Sequence, residues 1–128
     1  MKKAIRPRRS VLYMPGSNAR ALEKGREIPA DGLILDLEDA VAPEAKALAR
    51  DNIAKAVAQG GYGPRELLVR TNSLATPWGY EDLLMAARSG AHAVLIPKVE
   101  SADDVRKAES ILVANGAPDD LAIWCMME

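Results

Sequence analysis

Gly32-Leu33-Ile34-Leu35-Asp36-Leu37-Glu38-Asp39-Ala40-Val41 is the stretch whose reading decides the fold. An apolar run carries three carboxylates at its C-terminal end, and an alanine-rich segment with helical spacing follows. Like charges this close repel one another and cost free energy unless a cation or a proton answers them. In α/β folds the C-terminal ends of parallel strands are where ligands and chemistry collect. The stretch therefore reads as a buried strand that delivers acids to an active-site rim.

Strand and helix alternate outward from it in both directions. Ser10 to Met14 is a short apolar strand closed by Pro15-Gly16, and Ser17 is placed to cap a helix through Lys24 that Gly25 ends. After the Leu33–Leu37 strand, Pro43-Glu44 opens a helix with Ala45, Ala49, Ile53 and Val57 at i+4 spacing, stopped by Gly60-Gly61. Leu67 to Thr71 is a third strand, and Tyr80 to Ser89 a helix stopped by Gly90. Ala93 to Ile96 is a fourth strand cut by Pro97. Ser101 caps a helix with Val105, Ala108, Ile111 and Leu112 on one face, ended by Asn115-Gly116, and Leu121 to Met127 is a fifth strand. These strands are continuous apolar runs, the pattern of a parallel sheet covered on both faces.

The totals bound the alternatives. The 128 residues have the length of one domain. Seventeen Lys and Arg against eighteen Asp and Glu leave a net charge of −1, which excludes the strongly basic face of a dedicated nucleic-acid binder. No apolar run approaches the ~18 residues of a membrane span. The start, Met1 to Arg9, is basic like the head of a signal peptide, but Val11-Leu12-Tyr13-Met14 is too short for its apolar core. The chain is expected to be cytoplasmic. The basic start reads as a solvated segment or as a patch that holds an anionic ligand, and the single Cys125, inside an apolar run, as a reduced, buried thiol.

Five βα units at roughly 25–30 residues each fit part of a (β/α)8 TIM barrel of ~250 residues, or a complete flavodoxin-like domain such as a response-regulator receiver. A receiver needs a final helix after its fifth strand and an acidic pair after its first, whereas here the acids belong to the second strand. The barrel is the better fit, because Asp36, Glu38, Asp39, Arg70, Lys98, Glu100 and Glu128 all fall at or just beyond strand C-termini. Five strands cannot close an eight-stranded barrel, so residues 1–128 are expected to be the N-terminal part of a single barrel domain, completed by further sequence or by another chain.

Five motifs then carry a resemblance: Tyr13-Met14-Pro15-Gly16-Ser17-Asn18, Leu35-Asp36-Leu37-Glu38-Asp39-Ala40-Val41, Val69-Arg70-Thr71-Asn72, Ile96-Pro97-Lys98-Val99-Glu100 and Met126-Met127-Glu128. Their order resembles that of the citrate lyase β-subunit-like family, within the malyl-CoA lyases and HpcH/HpaI aldolases. The likeness spans essentially the whole chain and the N-terminal half of the family's barrel. The family continues from its glutamate strand with Thr-Pro-x-Gly and places a second metal-binding Asp after the sixth strand, both beyond Glu128.

The resemblance implies a Mg²⁺-dependent carbon–carbon lyase that cleaves a hydroxyacyl-CoA thioester into an acyl-CoA and a 2-oxo acid, in a homo-oligomer, trimer or hexamer. The alternatives are an aldolase on free 2-oxo acids without CoA, or a barrel fragment inactive on its own. Glu128 matches the family's metal ligand, which also touches substrate. Arg70 matches the substrate arginine, whose planar fork suits a carboxylate or an enolate; the alternative is an ion pair with Asp36 or Glu38, and the two readings are compatible. Glu38 and Asp39 resemble the acidic pair near the metal, as holders of metal-bound water or in proton transfer, with helix capping equally open for Asp39. Lys98 faces either phosphate or the acids. Trp78 and Tyr80 are a ligand wall or simple packing, Met14 to Asn18 a helix-terminus anion site or an ordinary cap, and His92, at the N-terminal end of its strand, has no chemistry assigned.

Overall fold

A computed structural model describes residues 5–128; residues 1–4, the head of the basic segment, lie outside the described residues. The elements run β1 (Val11–Pro15), α1 (Ala19–Lys24), β2 (Gly32–Asp36), a 3-10 turn (Pro43–Ala45), α2 (Lys46–Gln59), β3 (Glu66–Arg70), α3 (Gly79–Ser89), β4 (Ala93–Ile96), α4 (Ala102–Ala114) and β5 (Ala122–Cys125). All five strands are parallel and lie in the order β1-β2-β3-β4-β5. A flavodoxin-like sheet reverses direction at a switch point and interleaves its strands. Strictly sequential order is the winding of a barrel wall.

Register assigns the two faces. Leu33 pairs with Leu67, and Leu35 with Val69, on the side where α1 to α4 pack; Met14, Leu22, Leu37, Ala49, Ile53, Leu83, Ala86, Val94, Ala108 and Leu112 complete this main core. The concave side carries Ile34, Leu68, Ala93 and Leu95, with Val11, Ala122, Trp124 and Met126 packed against them. Asp36 and Arg70 are register partners two residues beyond Ile34 and Leu68, so both side chains stand at the C-terminal end of this concave face. The continuous apolar pattern holds for β2, β3 and β4, whose residues are buried throughout, and weakens in β1 and β5, which flank the sheet.

Three local expectations change. Asn18, not Ser17, caps α1: its side chain accepts the Ala21 N–H at 3.1 Å. That one-and-a-half-turn helix, with its cap supplied by Asn18, gives the ordinary turn and not an anion site. Cys125 is exposed, because it lies on the outward side of an edge strand with no further element over it among the described residues. β5 is four residues long, and Met127 is 80% exposed. No helix among the described residues is long and apolar enough to cross a membrane.

Candidate active site

The acids of β2 are turned to the concave rim by a tight exchange of backbone bonds. Asp36 carbonyl accepts the Gly16 N–H at 2.8 Å, and Leu37 N–H donates to the Arg70 carbonyl at 2.9 Å. A Cβ at position 16 would stand 2.7 Å from that Asp36 oxygen, so only glycine lets the β1 loop approach so closely. The Asp36 carboxylate then accepts the N–H groups of Glu38 (2.9 Å) and Ala40 (3.0 Å), folding the chain into an Asx-type turn that presents Glu38 and Asp39.

Arg70 grips the same carboxylate with both prongs, Nε to Oδ1 and Nη2 to Oδ2, each at 2.7 Å, with Asp36 fully buried and the arginine side chain 9% exposed. Burial pushes the Asp36 carboxyl up, yet the bonds from Arg70 and from two backbone amides outweigh it and leave the group below its ordinary value. The Arg70 guanidinium, bonded to Asp36, is held above its own ordinary value. The Tyr13 ring stacks 4.7 Å from the guanidinium carbon, and Arg70 Nη1 reaches a Glu38 oxygen at 3.3 Å. The ion pair that the sequence left open is formed. The fork is engaged by Asp36, and Nη1 is the nitrogen directed toward Glu38 and the rim.

Glu38 is buried and also accepts from Lys98 Nζ at 2.6 Å, while Asp39 stands exposed with Lys98 at 4.0 Å. Lys98 adopts φ of 52°, a left-handed conformation costly for a residue with a Cβ. It thereby meets two strands at once: its ammonium serves Glu38, and its backbone N–H donates to a Glu128 carboxylate oxygen at 2.9 Å. Four carboxylates (Asp36, Glu38, Asp39, Glu128) thus share two rim cations, Arg70 and Lys98. Glu38, Asp39, Lys98, Asn72 and Trp78 line an open cleft of about 410 Å3 beside this group. Trp78 belongs to it and Tyr80, half exposed on α3, does not. Glu100 N–H bonds to Asp104 at the start of α4, away from the carboxylates.

Two buried charges beside the acidic turn were missed in the sequence. Lys46, 5% exposed, donates to the carbonyls of Leu37 (2.9 Å), Glu38 (3.0 Å) and Val41 (3.1 Å), with its ammonium 4.9 Å from the Trp78 ring centre. Asp82, fully buried, accepts from Arg50 and from both the backbone and side-chain nitrogens of Asn72; burial pushes its carboxyl up. Asn72 also reaches the Leu37 carbonyl. The signal was present: Lys46 falls in line with Ala49 and Ile53, and Asp82 with Ala86, so each interrupts an apolar stripe.

At the opposite ends of the strands Arg8 pairs with Glu66 and lies over Trp124, and Arg9 grips Asp31. These two arginines of the basic start close local ion pairs and do not form an anion patch. His92 accepts the Leu67 N–H through Nδ1 at 2.9 Å, a structural bond.

A profile of the HpcH/HpaI aldolase/citrate lyase family matches residues 9–118. The chain belongs to that family. It is 46% identical over 122 residues to a (3S)-malyl-CoA thioesterase of Cereibacter sphaeroides, covering 95% of this chain and 41% of that protein. It is 40% identical over 108 residues to the citrate lyase subunit beta of Escherichia coli, covering 84% and 36%. A citrate lyase beta subunit of M. tuberculosis, solved with oxaloacetate and magnesium, superposes with a TM-score of 0.67 at 26% identity over 93% of this chain and 58% of that one. A malate synthase of Haloferax volcanii superposes at 0.80 with 24% identity, covering 94% and 41%, a likeness of fold alone. The fold is of the TIM-barrel type, of which the described residues supply five strands and four helices, and the family is one of enzymes that includes lyases. The chain spans about two fifths of the length of the curated relatives it matches.

Proposed function

We propose that residues 1–128 are the N-terminal part of one (β/α)8 barrel whose complete form is a Mg²⁺-dependent carbon–carbon lyase. It would cleave a hydroxyacyl-CoA thioester of malyl, citramalyl or citryl type into an acyl-CoA and a 2-oxo acid. The observation that carries this reading is the charge imbalance at the rim: four carboxylates against Arg70, Lys98 and the buried Lys46 leave a surplus of negative charge that a bound cation would neutralise.

The donor set fits a share of a Mg²⁺ site. No group of three His, Cys, Asp or Glu able to hold a metal occurs among the described residues. Asp36 is committed to Arg70, and Glu38 to Arg70 and Lys98, which leaves Asp39 and Glu128, and of these Glu128 matches the metal ligand of the family. Mg²⁺ takes few protein carboxylates and keeps several waters, so Glu128, a second carboxylate from outside residues 1–128 and a chelating acid suffice. The ion, when bound, polarises the oxygen of the hydroxy or oxo group as a Lewis acid. In the cleavage direction a proton leaves the hydroxyl, the carbon–carbon bond breaks, and its electron pair moves onto the thioester carbonyl as an enolate that is then protonated at carbon. Arg70, locked by Asp36 and Tyr13, directs Nη1 at the growing enolate charge. Exposed Asp39 exchanges the proton with substrate, and Lys98 holds Glu38 through its ammonium and the Glu128 carboxylate through its backbone N–H.

The test is the longer protein that contains this chain, assayed with malyl-, citramalyl- and citryl-CoA. The expected result is Mg²⁺-dependent release of a 2-oxo acid together with acyl-CoA, lost in Glu128→Gln. A second reading is favoured by the malyl-CoA thioesterase likeness: hydrolysis, which releases free CoA thiol and a hydroxy acid. Thiol release without 2-oxo acid would replace the lyase reading, and turnover of free 2-oxo acids alone would remove CoA from it.

A further inference from the structure

The acidic turn after β2 has a support that none of the catalytic assignments uses. Residues 37–41 sit at the concave rim with no helix or strand geometry of their own, and they carry two of the carboxylates the site depends on. Their amides are held from one side by Asp36. Their carbonyls converge on the other side around a single point, the ammonium of Lys46, which takes those of Leu37, Glu38 and Val41 at 2.9 to 3.1 Å. Three acceptors use all three N–H bonds of an ammonium; a neutral amine has only two to give. The group is therefore charged and has no lone pair for nucleophilic or Schiff-base chemistry. Trp78 closes its remaining side, with the ammonium 4.9 Å from the ring centre.

We propose that Lys46 is the positioning residue of the active-site turn: a buried ammonium that gathers the carbonyls of Leu37, Glu38 and Val41 and thereby fixes where Glu38 and Asp39 stand relative to Arg70 and Lys98. Asp36 and Lys46 form complementary halves of one clamp on residues 37–41, the acid gathering the N–H groups of Glu38 and Ala40 and the base the C=O groups of Leu37, Glu38 and Val41. The consequence for turnover rests on the lyase reading above; the clamp itself does not.

Hydrogen exchange followed by mass spectrometry on the longer protein that contains this chain separates the two. In Lys46→Met, which keeps length and loses charge and donors, peptides spanning Glu38 to Val41 are expected to exchange about tenfold faster, while Leu68 and Val69 in β3 keep their protection. Lys46→Gln, with two N–H donors, is expected to fall between. Unchanged protection over 38–41 in both variants overturns the proposal, as does loss of protection spread equally over β3, which would make Lys46 a general core residue. Should neither variant fold, acylation of the unaltered chain reads the same point: Lys46 is expected to react far more slowly than Lys24 or Lys107, and equal rates overturn the clamp. In the longer enzyme Lys46→Met is expected to lower kcat with KM little changed. Local loosening with full turnover would leave the clamp standing and remove Glu38 and Asp39 from the chemistry.

Discussion

The two ends of the sheet both carry arginine–carboxylate pairs, and they are built differently. At the N-terminal ends each acid has its own arginine: Glu66 has Arg8, and Asp31 has Arg9 with a backbone N–H besides. In each of these two pairs the charges match. At the C-terminal ends one buried pair, Arg70 with Asp36, anchors a cluster in which the remaining acids compete for cations. Matched pairs at a surface act as stitches worth little each, whereas a surplus of one sign beside a cleft is a binding site in waiting. The same residue types serve closure at one end and chemistry at the other.

The largest effect should come from breaking the anchor. Asp36→Ala leaves the Arg70 guanidinium buried without its partner and two backbone amides without an acceptor, and is expected to cost ~3–5 kcal/mol in denaturant unfolding. A cost near that of an ordinary surface change would mean that the two ends are built alike. Arg70→Lys keeps the charge and loses the fork, so stability should fall by about 1–3 kcal/mol. In the complete enzyme it should also lose roughly 100-fold in kcat/KM; near-parental turnover would confine Arg70 to structure.

Lys98 sharpens the comparison next. Lys98→Gly relieves the left-handed backbone and is expected to hold or raise the unfolding midpoint, whereas Lys98→Ala keeps the strain and lowers it. Equal midpoints for the two would show that the backbone at 98 stores no strain. The smallest effect belongs to the N-terminal end. The Arg9 guanidinium holds the Asp31 carboxyl at about 2, below its ordinary 3.8. A depressed acid stabilises the fold above the unfolded value and loses that contribution as pH falls toward the folded one. Asp31→Asn should therefore lower stability slightly at neutral pH, flatten the loss between pH 3.8 and about 2, and converge with the parent below that. An acid limb of unchanged slope in Asp31→Asn would mean that the Arg9 contact is not formed.

What the sequence determined by itself is local. Apolar runs of strand length, Pro and Gly punctuation and the stripe of Ala49 and Ile53 depend on neighbours a few residues away, and the order of five strands and four helices followed from them within a residue or two. The acids after β2 were legible too, because three charges at the end of an apolar strand contradict their surroundings. Long-range pairing was not legible. Only the tertiary structure decided that the strands lie in sequential order, that the fork of Arg70 closes on Asp36, that Cys125 stands on an open edge, and that Lys46 gathers three carbonyls from the turn it follows. Each of these depends on which backbone groups and charges meet across distant segments, and burial then fixes them, since a charge removed from water must find its partner wherever the fold has placed it.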